Sequence, residues 1–265
     1  MDDNNWINEL IAYISRFDSE YGVAIKAARE SEISALEDVI GERLPAAHRA
    51  YLMHLGDSDG GLLNRLRADS RARTVTTYCQ DLREDIPDIK FERCIPFATG
   101  DVFEGIGLWV EQDSVNPPVV FLNDGLPGDI LCGNLPSFLY QRAFLYERAT
   151  LALTAHYENF NSEITIDAIK STLADIGYLE EWFSDARLYC GRKENSLLLA
   201  YAGAPNNGLK IEISCNSEIT AFEEGDRILE KTGTGSLRRV VKEPTLPEVR
   251  ARGGVRVRVI RDIDI

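Results

Sequence analysis

The sequence predicts an α+β fold, with N-terminal helices packed on an antiparallel sheet with a closing helix, followed by a second, smaller α+β domain. Three observations predict it. Up to Leu55 the apolar residues recur at helical spacing. Beyond Arg73, short β-branched and aromatic runs are bounded by Gly, Pro, Asn and Asp, as in antiparallel sheets. At 265 residues the chain is long for one ordinary domain and comfortable for two, each able to bury a core. The expected boundary gives a first domain over 1–155 and a second over 156–265.

Residues 5–14 carry Trp6, Leu10, Ile11 and Ile14 on one helical face. A second helix is expected over 31–40. There Ile33, Leu36 and Ile40 share a face, Ser31 is the expected N-cap, and Gly41 stands where a left-handed C-terminal residue belongs. Leu44-Pro45 opens a third helix, the proline falling in the first turn, where its missing N–H costs nothing. His48, Tyr51, Leu52 and Leu55 line one face of it, and turn chemistry over 56–61 stops it. Strands are then expected at 74–78, 94–97, 106–110, 119–122 and 129–132, closed by a helix over 134–156 with Phe138, Leu145, Ala149 and Ala152 on one side.

In the second half, Thr165 can cap a helix bearing Ile166, Ile169, Leu173 and Ile176, ended at Gly177. Runs at 197–201 and 209–214 flank an Asn207-Gly208 turn signal and predict a hairpin. Near the end Val255, Val257 and Val259 alternate with Arg256 and Arg258, which predicts a half-buried strand with valines inward and arginines outward.

Net charge is −14. Residues 1–150 hold 25 acidic and 14 basic side chains, a net of −11, against −3 for the remainder. Such a first half repels nucleic acid and anionic membranes and attracts basic partners, although an acidic surface also serves plain solubility. No stretch approaches about 20 apolar residues, and the acidic start lacks the basic and apolar regions of a secretory signal, so a cytoplasmic protein is expected. Five widely spaced cysteines (Cys79, Cys94, Cys132, Cys190, Cys215) read as reduced core residues rather than a disulfide framework.

Motifs for catalysis are missing. Three histidines, His48, His54 and His156, offer no His-Glu-x-x-His, and there is no Gly-x-Ser-x-Gly and no phosphate-binding glycine loop. His48 and His54 read as one packed and one surface side chain. Gly105-Ile106-Gly107 and Gly233-Thr234-Gly235 read as turn or strand glycines. Asp57-Ser58-Asp59-Gly60 hints at a calcium loop, but a loop starting at Asp57 needs glycine where Leu62 stands. The basic tail, from Arg238-Arg239 to Arg261, lacks the aromatics of a nucleic-acid site. Neither a metal nor a cofactor is expected.

A further signal lies in residue order. Leu36-Glu37 and Gly41 precede Leu44-Pro45, Tyr51-Leu52 and Gly60-Gly61. Then come Ile95-Pro96-Phe97, the run at 106–110, Pro118-Val119-Val120-Phe121 and an apolar helix over 135–145. Over about half the chain this order resembles the SUKH superfamily. The Asp57-Ser58-Asp59 loop is longer than usual there, Phe103-Glu104-Gly105 lacks the usual Gly-Asp, and the second half has no counterpart.

The resemblance implies a non-enzymatic domain that binds and neutralises a protein toxin of interbacterial competition. An acidic domain suits a basic toxin such as a nuclease, held off by steric and electrostatic occlusion. Expected partner-binding residues are Asp57, Asp59, Asp101, Glu104, Trp109, Glu111, Asp113, Asp124 and Asp129, on the glycine turn, strand edges and connecting loops. Each carboxylate is otherwise a solvated charge, and Trp109 otherwise a core ring. The alternative is an interaction adaptor with no toxin partner. An enzyme of unfamiliar type would need a deep pocket with convergent polar groups.

Overall fold

A computed structural model of the chain describes residues 5–100, 104–159, 165–202, 208–232, 235–251 and 258–262. The chain is α+β and divides into two compact units, Met1–Ala143 with Pro247–Val255, and Phe144–Leu246 with Arg256–Ile265. It therefore leaves the first unit after Ala143 and returns to it at Pro247.

The first unit opens with α1 (Asn5–Ser15), α2 (Tyr21–Ala24), β1 (Ile25–Lys26), α3 (Glu30–Ile40), α4 (Ala46–Leu55), β2 (Ser58–Asp59) and α5 (Ala72–Asp85). The N-cap of α3 is Arg29, not Ser31: the Glu32 carboxylate accepts from the Arg29 backbone N–H at 2.9 Å and from its guanidinium at 2.8 Å. A carboxylate at the third helical position satisfies an orphan donor that Ser31, one residue inside the helix, cannot reach. Gly41 ends α3 at φ 84°, as expected. Pro45 precedes α4, which buries His48, Tyr51, Leu52 and Leu55.

Residues 74–78 are helical, within α5, and not a strand. Ala72, Val75, Cys79 and Leu82 form one buried stripe at helical spacing. Weak propensity at the β-branched residues costs a few tenths of a kcal/mol each, while burying a side chain such as Val75 or Leu82 contributes roughly 1.5–3 kcal/mol. Thr76 further directs its hydroxyl to the Ala72 carbonyl at 2.8 Å. The switch to strands comes only at Ile95.

There β3 (Ile95–Thr99), β4 (Glu104–Leu108), β5 (Val119–Asn123) and β6 (Leu126–Cys132) form a four-stranded antiparallel sheet in sequence order. Asp124 at φ 51° and Gly125 at φ 73° make the two-residue turn that pairs Asn123 with Leu126. Gly105 and Gly107 are strand glycines in β4. Phe97 joins the sheet to the helices, with its ring 4.9 Å from Tyr51 and 6.5 Å from Phe138. Phe138 belongs to the closing helix α6 (Leu135–Glu147).

That helix stops well short of His156. A 3₁₀ turn, Arg148–Thr150, leads into β7 (Leu153–Asn159). Leu153, Ala155 and Tyr157 enter a core while Thr154, His156 and Glu158 face the other way, a period of two that overrides the helical pattern upstream. The second unit continues with α7 (Ile166–Asp175), β8 (Leu179–Glu180), β9 (Leu188–Lys193), β10 (Ser196–Ala202), β11 (Leu209–Cys215), α8 (Glu218–Thr232) and β12 (Ser236–Lys242). After α9 (Leu246–Arg250) comes β13 (Arg258–Asp262), and the sheet order is β13-β12-β7-β11-β10-β9-β8. Thr165 caps α7 by accepting from Ala168 N at 3.3 Å, and β10 pairs with β11 as the expected hairpin. Helices α7 and α8 share one apolar core with the sheet. The expected facing of Val255, Val257 and Val259 inward and of Arg256 and Arg258 outward lies outside the described residues and side chains.

All five cysteines are buried and free. Among the described residues no helix is long and apolar enough to cross a membrane.

Candidate functional site

Antiparallel order sends successive connections of the four-stranded sheet to opposite ends. At one end lie Thr99 at the end of β3, the start of β4 and the Asp124-Gly125 turn. An isolated bridge between Asp69 and Thr99 adds the loop that follows β2. Of the expected residues, Asp57, Asp59 and Asp124 belong to this end. Glu104 is in β4 opposite Asn123, with its side chain outside the described residues, as is Asp101 altogether.

Much of this end is already engaged. The Asp59 carboxylate accepts from Gly61 N at 2.9 Å and Leu63 N at 3.0 Å, while its carbonyl accepts from the Tyr21 hydroxyl at 3.0 Å. Gly61, at φ 90°, lies against α9, and a Cβ there would stand 2.9 Å from the Arg250 Cα. Asn64 Nδ2 donates to the carbonyls of Val249 at 2.8 Å and Arg250 at 3.0 Å. The glycine turn thus receives the chain's own C-terminal segment.

The opposite end is the loop over 109–118. Arg93 pairs with Glu111 at 2.8 Å, and Trp109 Nε1 approaches the same carboxylate at 3.5 Å. The Arg93 guanidinium holds Glu111 below the usual carboxylate range. Asp113 accepts from Val115 N at 2.8 Å and Asn116 N at 3.0 Å, and these backbone donors likewise lower its pKa. Both side chains therefore stay charged near neutrality, exposed on the loop. Trp109 is half-buried, packed on the cluster of Cys94, Val120 and Leu122. Val115, 72% exposed, projects from the loop. Asp129 belongs to neither end; it is exposed on the edge strand β6.

Beside this loop is a groove of about 430 Å³. Leu44, Pro45, Ile95 and Val110 are its buried or half-buried lining, and Glu42, Arg43 and Glu92 are exposed on its walls. Among the described residues these three charged groups make no hydrogen bond or ion pair. None of the three is among the expected partner-binding residues. The one local signal was the Glu42-Arg43 pair directly ahead of Leu44-Pro45, and nothing local relates it to Glu92, which the fold brings alongside.

No family model matches this chain, and no curated protein matches it.

The second unit holds a polar cluster of another kind. Arg148, 5% exposed, donates to Glu212 at 2.5 Å, to Glu243 at 2.8 Å and to Thr154 at 3.0 Å. Glu212 also takes the Tyr201 hydroxyl at 2.7 Å and lies 3.1 Å from His156 Nδ1. Burial alone would raise the Glu212 pKa, but Arg148, His156 and Tyr201 hold it well below the usual range. This is a cation enclosed by its own carboxylates, an arrangement that keeps a buried charge tolerable. Among the described residues no group of three or more His, Cys, Asp or Glu side chains is placed to hold a metal ion.

Proposed function

We propose that this protein is a non-enzymatic binding protein of the SUKH immunity type, which neutralises a basic protein toxin such as a nuclease by occluding its working surface. The observation that carries the reading is the grouping of Trp109, Glu111 and Asp113 on one sheet end, beside a groove whose charged walls are unpaired among the described residues. Exposed carboxylates held in their ionised form mimic phosphate groups and steer a basic partner into encounter. The net charge of −11 over 1–150 acts in the same direction.

The decisive experiment mixes the purified chain with the product of the neighbouring gene, where that product is a basic toxin. A stoichiometric complex and loss of toxin activity are expected, with association slowing steeply between 0.1 and 1 M salt as the Debye length falls from about 10 to 3 Å. Full toxin activity in the presence of excess chain would sink the reading.

A further inference from the structure

We infer that the groove between the α3–α4 junction, the start of β3 and the loop over 109–118 is an anchor pocket for one basic side chain, an arginine or lysine, of a protein partner. This deepens the proposed function and rests on its protein-binding reading. Three observations carry it. First, part of the groove's lining is apolar, from Leu44, Pro45, Ile95 and Val110, which suits the methylene stem of a long cationic side chain, and the rest is polar. Second, two carboxylates, Glu42 and Glu92, stand on its walls without hydrogen bonds or ion pairs among the described residues, so their acceptor capacity is unspent. Third, in and directly next to the lining, the carboxylates of Glu42, Glu92, Glu111 and Asp113 outnumber the cations Arg43 and Arg93, so the charge balance favours a cation.

The volume of about 430 Å³ is within the range of small-ligand sites, ample for one side chain and its flanking backbone. Arg43 then has a role of its own: it can meet an acidic or carbonyl group beside the partner's basic residue, which fixes orientation. A nucleic acid is disfavoured, because its phosphates would face Glu42 and Glu92 together.

The test is an amide-resolved NMR titration of the full chain with N-acetyl-arginine amide, N-acetyl-lysine amide and the neutral isostere N-acetyl-citrulline amide. Saturable shifts are expected at Leu44, Ala46, Ile95 and Val110 with both cations, and weaker or no binding of citrulline. Glu42→Gln and Glu92→Gln should each raise the Kd for the arginine probe by about two- to five-fold, the range of exposed charge pairs. Both positions are exposed, and an unchanged spectrum elsewhere verifies the fold of each variant. Equal binding of citrulline, or shifts confined to other surfaces, would overturn the pocket. A chain that binds the cationic probes here yet leaves every basic toxin active would overturn the proposed function and leave the pocket standing.

Discussion

Arg250 donates through Nε to the Asp18 carboxylate at 3.0 Å, across 232 residues of sequence, within the first unit. Asp18 is 2% exposed, and its carboxylate also accepts from Glu20 N at 3.1 Å, so the guanidinium is the cation of a largely buried pair. Removing one partner of a buried pair leaves an uncompensated charge. Arg250→Ala should lower stability by about 2–3 kcal/mol, less than the full cost of a wholly buried pair because Arg250 remains partly in water. Urea unfolding of the single variants and of the Asp18→Asn/Arg250→Ala double measures it. The double variant should lose less than the sum of the singles; a loss below about 0.5 kcal/mol for Arg250→Ala would show that the pair contributes little.

Gly61 controls the same docking by a different route. At φ 90°, with the Arg250 backbone in the path of any Cβ, alanine is both strained and in collision. Gly61→Ala should cost about 1–3 kcal/mol and speed amide hydrogen exchange in α9. Unaltered exchange at Val249 and Arg250 would show that α9 does not rely on this approach.

His48 should make the first unit sensitive to acid. Its ring is fully buried beside Phe97, neither nitrogen has a hydrogen-bond partner among the described residues, and burial pushes its pKa down from 6.5 to about 3. The folded state therefore keeps His48 neutral while the unfolded chain takes up a proton below about pH 6.5. Stability from this group is complete above pH 6.5 and is lost as pH falls towards 3, at about 1.4 kcal/mol per unit. Urea midpoints at pH 7 and pH 5 read the slope, and His48→Leu should flatten it. An identical slope in that variant would assign the acid sensitivity to carboxylates instead.

In the second unit, Arg148→Met should be among the most damaging single changes. It leaves Glu212 and Glu243 buried without their cation, at a cost of roughly 3–5 kcal/mol. Arg148→Lys should restore only part of this, since one ammonium cannot span both carboxylates and Thr154 as the guanidinium fork does. Thermal melting ranks wild type, lysine and methionine in that order; full stability with lysine would show that charge alone suffices.

Local rules account for much of what the chain does. Gly41 and Pro45 bracket the α3–α4 junction as their backbone preferences require, Asp124-Gly125 turns β5 into β6, and the runs on either side of the Asn207-Gly208 signal pair as the β10–β11 hairpin. These signals are legible because they depend on near neighbours: a sterically allowed φ, a missing N–H, a side-chain period. The same locality produced the errors. Thr74, Val75, Thr76 and Thr77 read as a strand by propensity, but Val75, Cys79 and Leu82 pack as a helix, because burial of a stripe outweighs small intrinsic preferences.

By itself the sequence determined the α+β class, the helices α1, α3, α4 and α7, the strands β3 to β6, the β10–β11 hairpin and the acidic character of the first half, but not α2, α5, α8, β7, β9 or β12. Only the tertiary structure decided that α9 returns to the glycine turn, that Arg148 is shared between Glu212 and Glu243, and that Glu92 joins Glu42 and Arg43 on one groove. The physical reason is that each of these depends on groups far apart in sequence whose closeness is set by the whole packed core. A buried charge demands a partner, but nothing in its neighbours names which distant residue will supply it.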